Sequence, residues 1–207
     1  MNQILVIPAN LKYKKILKIQ LILSIFFTIS LISFHFYSVQ TRNKNESISK
    51  NLLNTFNISL LYANNSSYTA NTLSSSNSFS IIGIIEIKKL KINYPIISEI
   101  NDSLLEMSPC KFYGPNPNEI GNFCIAGHNY NDNRFFSRIS TLKYADIISI
   151  TDLTGNTINY SVTDIFETTP NDLSCISQET NGQKEITLIS CNNITEKRVI
   201  VKAREFI

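Results

Sequence analysis

Three residue types that could together break and remake an acyl bond stand far apart in this sequence: Cys191, His128 and Arg198. A cysteine thiolate attacks carbonyl carbon. An imidazole titrates near neutrality and can carry a proton in either direction. A guanidinium stays charged and can hydrogen-bond a developing oxyanion. Each type also has an ordinary structural use, since free cysteines commonly act as small buried hydrophobes and arginines are mostly exposed. The case for chemistry rests on the pairing. Beyond the N-terminal apolar segment the chain has a single histidine, His128, which with a distant cysteine makes a candidate nucleophile pair.

The elements that must position these residues are legible. Glu185-Ile186-Thr187-Leu188-Ile189-Ser190-Cys191 is apolar and β-branched up to the thiol. Asn192 and Asn193 open a short polar connection, and Arg198-Val199-Ile200-Val201 begins a second β-branched run. This reads as strand, turn, strand, with Cys191 ending one strand and Arg198 starting the next. Both side chains can then face one cleft from rigid elements. Upstream, Gly121-Asn122-Phe123-Cys124-Ile125-Ala126-Gly127-His128 reads as a strand that delivers an imidazole at its end, with little side-chain bulk behind it.

Thr187-Leu188-Ile189-Ser190-Cys191, Arg198 and Ile125-Ala126-Gly127-His128 resemble the sortases, cysteine transpeptidases of Gram-positive bacterial surfaces. Gly121-Asn122, Phe135-Phe136-Ser137-Arg138-Ile139 and the stretch 186–203 are similar to that family as well, so an ordered likeness runs over residues 80–206. Two departures stand out. Ser190 replaces the threonine that commonly precedes the cysteine, and Ala145-Asp146 stands where many relatives have Gly-Asp. The first keeps a small hydroxyl, and the second bears on a turn.

The resemblance implies a mechanism and partners. Cys191 is the nucleophile that forms an acyl thioester, His128 the general acid and base, and Arg198 the oxyanion or substrate-backbone donor. The substrate is a secreted protein with an LPxTG-like C-terminal sorting signal, cut after its threonine. The acceptor is an amine of a peptidoglycan precursor. No cofactor and no metal is expected, because transfer to an amine conserves the acyl bond energy; no carboxylate cluster matches a calcium site. The short connection between Leu142 and Thr157 is more similar to class D than to class B sortases. A pilus-polymerising type is disfavoured, since no second apolar segment follows Arg198. Two rival readings are a cysteine hydrolase, with water as acceptor, and a non-catalytic surface binding module.

Composition bounds the rest. The 207 residues are 43% hydrophobic and 17% charged, enough for one globular domain and some extra. A net charge of +3 from 19 basic and 16 acidic residues is too slight to argue for nucleic acid. Four cysteines could make two disulfides outside a cell, but a nucleophile must stay a free thiol. Cys124 and Cys175 sit in apolar surroundings and read as core, while Cys110 follows Pro109 and reads as loop. No Cys-x-x-Cys pair favours zinc or thioredoxin-like chemistry.

Residues 1–18 carry Lys12, Lys14, Lys15 and Lys18 and no acid, and residues 19–39 contain no Asp, Glu, Lys or Arg. About 20 apolar residues in a helix span a bilayer core of about 30 Å, so this segment reads as a single-pass transmembrane anchor. The bulky Phe34, His35, Phe36 and Tyr37 replace the small-residue site of a cleavable signal. With the lysines before the span, the N-terminus is expected in the cytoplasm and the rest outside the cell membrane. His35 reads as an interfacial residue. Residues 40–79 read as a polar stalk rich in Asn, Ser and Thr, part of it helical because Ile48, Leu52, Leu53, Phe56 and Leu60 recur at helical spacing.

The remaining residues, 80–207, form the expected catalytic domain. Strand-like runs occur at 81–87, 92–97, 121–128, 147–151, 157–166, 185–191 and 198–201. Pro95 lacks the N–H of a ladder and belongs at an edge or bulge. A short helix is read at 102–107, a loop from Pro109 through the Gly114-Pro115-Asn116-Pro117 cluster, an exposed polar loop at 129–133 and helical spacing at 135–142. Short strands with connections too short for helical crossovers argue for a mostly-β closed barrel. The resemblance makes it an eight-stranded sortase-type barrel with short helices, preceded by the transmembrane helix.

Overall fold

The computed structural model describes residues 11–63, 79–130, 132–192 and 194–206. The first ten residues of the basic N-terminus, the serine-rich end of the expected stalk and Asn193 lie outside the described residues. The chain divides into two compact units, Met1–Lys44 and Asn45–Ile207. Helix α1, Leu11–Ala63, contributes to both.

Over residues 19–39 of the first unit α1 is apolar on every side. Phe26, Ile32 and Phe34 are 73%, 68% and 72% exposed, and an 18-residue window reaches mean hydropathy 2.1 with none of it buried. A helix that is hydrophobic all round is suited to a hydrocarbon surrounding. At 1.5 Å per residue, residues 19–39 extend about 30 Å, which matches a bilayer core.

In the second unit, residues 45–63, read from composition as stalk, continue α1 and pack on the barrel wall. Phe56 is fully buried against Ile81 and Ile84, with Leu52, Leu53 and Leu60 beside it. Residues 52, 56 and 60 lie four apart and share one helix face, a local stripe that outweighs the polar average of the segment. The barrel answers with a bulge between Ile81 and Gly83, which lets Ile81 and Ile84 both turn outward onto the helix.

The strands are β1 Ile81–Ile87, β2 Ile92–Ile97, β3 Cys110–Tyr113, β4 Gly121–Ala126, β5 Ile147–Asp152, β6 Thr157–Thr168, β7 Lys184–Cys191 and β8 Arg198–Glu205. They close into a barrel in the order β1-β2-β3-β4-β7-β8-β6-β5. The β4–β7 and β2–β3 contacts are parallel, and the other pairs antiparallel. Closure leaves no free edge along most of the sheet. Pro95 sits on β2 short of its one bridge to β3, Ile97 to Cys110, where its missing N–H breaks no ladder. Helix α2, Asp102–Leu105, is capped by the Asn101 side chain, which accepts the Leu104 amide at 2.9 Å.

Two layers of core result. Inward residues such as Phe123, Ile125, Ile186, Leu188, Val199 and Val201 fill the barrel. The outward residues Cys124, Ala126, Ile189 and Ile200 form a second cluster with Cys175. Every residue of β4 is buried, because one face meets the barrel interior and the other is covered.

Three sequence readings need correction. Cys110 lies in a four-residue strand and not in a loop: Pro109 and Gly114 bound β3, which pairs with Ala126 and Ile125, and so short a strand carries no periodicity. The 135–142 stretch is not an α-helix but turns and one 3-10 turn, Ile139–Thr141. Phe135 takes a left-handed φ of +46° so that both Phe135 and Phe136 can be buried. The 129–133 loop is only partly exposed, since Asn129, Tyr130 and Asp132 are half-buried.

Candidate active site

Cys191 is the last residue of β7 and Arg198 the first of β8, and the two are direct cross-strand partners. Opposed residues of an antiparallel pair hold their Cβ atoms about 4.5–5.5 Å apart on one face. Cys191 is in phase with Ile189, and Arg198 with Ile200, so both project from the outer face of the barrel. The connection between them is closed by Asn192, whose amide donates to the Lys197 carbonyl at 2.7 Å and whose side-chain oxygen accepts the Ile194 amide at 2.9 Å.

His128 follows β4 by two residues, and the chain around it is tied to the end of β7 on both sides. Before it, the Gly127 amide donates to the Ile189 carbonyl at 3.0 Å, and the Ser190 hydroxyl donates to the Gly127 carbonyl at 2.9 Å. After it, the Asn129 side-chain amide donates to the Cys191 carbonyl at 2.9 Å. The His128 carbonyl itself accepts the Phe136 amide at 3.1 Å. Gly127 is required by a close approach, because a Cβ there would lie 2.6 Å from the Phe136 ring. Ser190 therefore does with its hydroxyl what a threonine could do equally, which gives the departure at this position a physical reading.

The four cysteines are free thiols, and they differ in environment. Cys110, Cys124 and Cys175 are buried, and Cys191 is exposed. Burial pushes the Cys110 and Cys124 thiols up to about 12 and raises that of Cys175, which keeps them protonated and poor nucleophiles. His128 is half-buried. Burial lowers its pKa from the ordinary value, and the carboxylates of Glu106 and Asp102 oppose that shift. The Arg198 guanidinium lies over the Phe112 ring, 5.9 Å from its centroid. Its Nη1 is buried with no hydrogen-bond partner among the described residues, a donor left without an acceptor.

The outer face is roofed by residues 169–183. Asn122, fully buried, donates through its side-chain amide to the Cys175 and Ser177 carbonyls, each at 3.0 Å, and accepts the Thr187 hydroxyl at 2.8 Å. Gln178 clasps the Asn122 backbone at both its amide and its carbonyl. An open groove of about 510 Å³ runs between this roof and Tyr113, lined by Leu173, Ile176, Ser177, Gln178 and Glu179. Among the described residues no group of three or more His, Cys, Asp or Glu is placed to hold a metal ion. Reading by residue type singled out Cys191, His128 and Arg198 and gave no role to Asn122, Asn129 or Phe112. Asn122 carried part of the family likeness and Asn129 follows the histidine directly, whereas Phe112 gave no signal.

The fold sets the class first: a closed, mixed, mostly-β barrel with an accessible thiol at one rim. The family follows from comparison with known proteins. A sortase-domain model matches residues 85–206, more than half of the chain, and the chain belongs to the sortase family of cysteine transpeptidases. Among solved structures, the Clostridium perfringens sortase D5 transpeptidase is 29% identical with a TM-score of 0.64, over 78% of this chain and 99% of that one. Listeria monocytogenes sortase A is 25% identical with a TM-score of 0.56, over 61% and 88%. Streptococcus pneumoniae sortase C, at 22% identity and a TM-score of 0.55 over 61% and 66%, shares the fold. Comparison with curated proteins gives no match.

Proposed function

We propose that this protein is a membrane-anchored cysteine transpeptidase that cuts an LPxTG-like sorting signal and joins the protein ahead of the cut to a cell-wall amine. The observation that carries the reading is the exposed thiol of Cys191 directly across from Arg198, whose buried Nη1 lacks an acceptor among the described residues. The Cys191 thiolate attacks the carbonyl carbon of the signal's threonine, and the oxyanion so formed is the acceptor that Arg198 is missing. As the carbon–nitrogen bond breaks, His128 gives a proton to the departing amine, leaving a thioester on Cys191. An incoming amine attacks the thioester, His128 takes its proton, and the thiolate departs as a new amide forms. No net oxidation or ATP is involved.

The anchor is α1, whose residues 19–39 span the membrane with the N-terminus in the cytoplasm and the catalytic domain outside. The acceptor is an amine of a peptidoglycan precursor. A class D-like assignment is supported by the likeness to the sortase D5 structure over nearly the whole of that chain.

The test uses the full chain in detergent with an LPxTG-like peptide, with and without an amine such as triglycine, and product masses read directly. The expected product is the new amide, formed only when the amine is present in competition with water. Equal release of free acid with and without amine would point to a hydrolase, and absence of any Cys191 acyl adduct would remove the nucleophile assignment.

A further inference from the structure

A row of rings connects helix α1 to His128. Glu46 of α1 accepts the Tyr94 hydroxyl through both carboxylate oxygens, at 3.0 and 3.2 Å, and is itself paired with Lys50 at 3.3 Å. The Tyr94 ring meets Phe135 edge-on at 4.9 Å between centroids. Phe135 packs on Tyr130 at 5.7 Å, and Tyr130 on the His128 imidazole at 5.1 Å. The Arg134 guanidinium covers Tyr130, 5.4 Å from its ring centroid, and is held by Asp132 at 2.7 Å. Aromatic neighbours at such separations attract one another and resist relative rotation.

The row is built of constrained parts. Tyr94 is 7% exposed and Phe135 1%, so neither ring has room to swing. Burial and the neighbouring Glu46 carboxylate raise the pKa of the Tyr94 phenol, which keeps it a donor. Phe135 holds its left-handed backbone, a conformation that persists in a bulky residue only where the surroundings dictate it. A second link runs in parallel: Asn45 of α1 donates to Glu106 at 3.4 Å, and Glu106 is a carboxylate whose charge reaches His128.

We infer that the docked part of α1 is a positioning element of the catalytic apparatus, and that Glu46, Tyr94 and Tyr130 set the place of the His128 ring through the row of aromatic contacts between them. None of the three touches substrate in this account. The inference rests on the reading of His128 as the proton carrier, and it predicts that loosening α1 from the barrel lowers turnover without weakening substrate binding.

The experiment compares Glu46→Gln, Tyr94→Phe, Tyr130→Leu and the Glu46→Gln/Tyr130→Leu double variant in the full chain, with kcat and KM measured on an LPxTG-like peptide and triglycine. Displacing a proton carrier by a fraction of an ångström costs roughly tenfold in rate, so each single change should lower kcat by about that factor with KM within about twofold. Residues 46 and 130 are separated by two further rings, and independent sites give multiplicative losses. The double variant is expected to lose less than the product of the single losses. Parental kcat in both Glu46→Gln and Tyr94→Phe, or fully multiplicative losses in the double variant, would overturn the inference.

A readout independent of turnover is the ¹⁵N-imidazole NMR signal of His128, assigned in a His35→Gln background. Glu46→Gln should move it, and an unmoved signal counts against the inference. A His128→Asn variant separates the two ideas. If it keeps full activity, the functional reading fails, while the NMR comparison still decides whether α1 places the ring.

Discussion

The two faces of β7 carry different residues under the same backbone constraints. Inward, Ile186 and Leu188 are fully buried hydrocarbon in the barrel core. Outward, Thr187, Ile189 and Cys191 alternate with them: Thr187 holds the roof through Asn122, and Cys191 ends exposed beside Arg198. The inner face has to exclude water to hold the fold, whereas in the proposed reaction the outer face has to admit a substrate chain. A strand of period two can do both at once, because adjacent side chains never share a face. Chemistry can therefore sit one residue away from core without either spoiling the other.

That contrast can be broken by substitution. Cys191→Ala should reduce transpeptidation to background with an unchanged thermal midpoint, measured by peptide turnover and circular dichroism; an appreciable residual rate would remove the thiol from the mechanism. His128→Asn should cost roughly 10²–10⁴-fold in kcat, the usual worth of a positioned acid and base, and a loss under about tenfold would mean that it only packs. Arg198→Lys keeps the charge but loses the planar fork, and a loss of about 10²-fold in kcat is expected if the guanidinium holds the oxyanion. A near-parental rate would make it a bystander.

The inner face should respond in the opposite way. Leu188→Ala leaves a cavity in the barrel and should cost about 2–5 kcal/mol of stability, read by denaturant titration, with kcat per folded molecule close to parental. The smallest effect sharpens the electrostatics of the outer face. The His128 pKa is lowered by burial and partly restored by Glu106 and Asp102. Glu106→Gln removes one of the restoring charges and lowers the pKa further. If the protonated ring delivers the proton, kcat/KM falls as pH rises through that pKa, so the limb should move to lower pH in the variant. A limb that moves up or stays put would assign it to another group.

The residues proposed for chemistry were legible because their types are rare in the chain and each stands at the end of a readable strand. β7 and β8 announced themselves through β-branched runs, and β6 through alternation. β3 did not, since four residues between Pro109 and Gly114 are too few to show a period. The Phe135-Phe136 pair misled for another reason: two adjacent apolar residues fit a helical stripe, yet both are buried here by one left-handed residue. Residues 45–63 looked like a stalk on average composition and partly helical from the spacing of Leu52, Phe56 and Leu60, and that stripe mattered more than the average.

By itself the sequence determined every strand but β3, the apolar span and the identity of the thiol, imidazole and guanidinium, because these follow from local residue type and periodicity. Only the tertiary structure decided the register that sets Cys191 across from Arg198, the ties that hold the chain around His128 to the end of β7, and the docking of α1 through Glu46 and Phe56. The register closes a hairpin of residues seven apart, while the other two depend on contacts between residues tens of positions apart. Closing the barrel selects such contacts jointly, and no short window of sequence contains them.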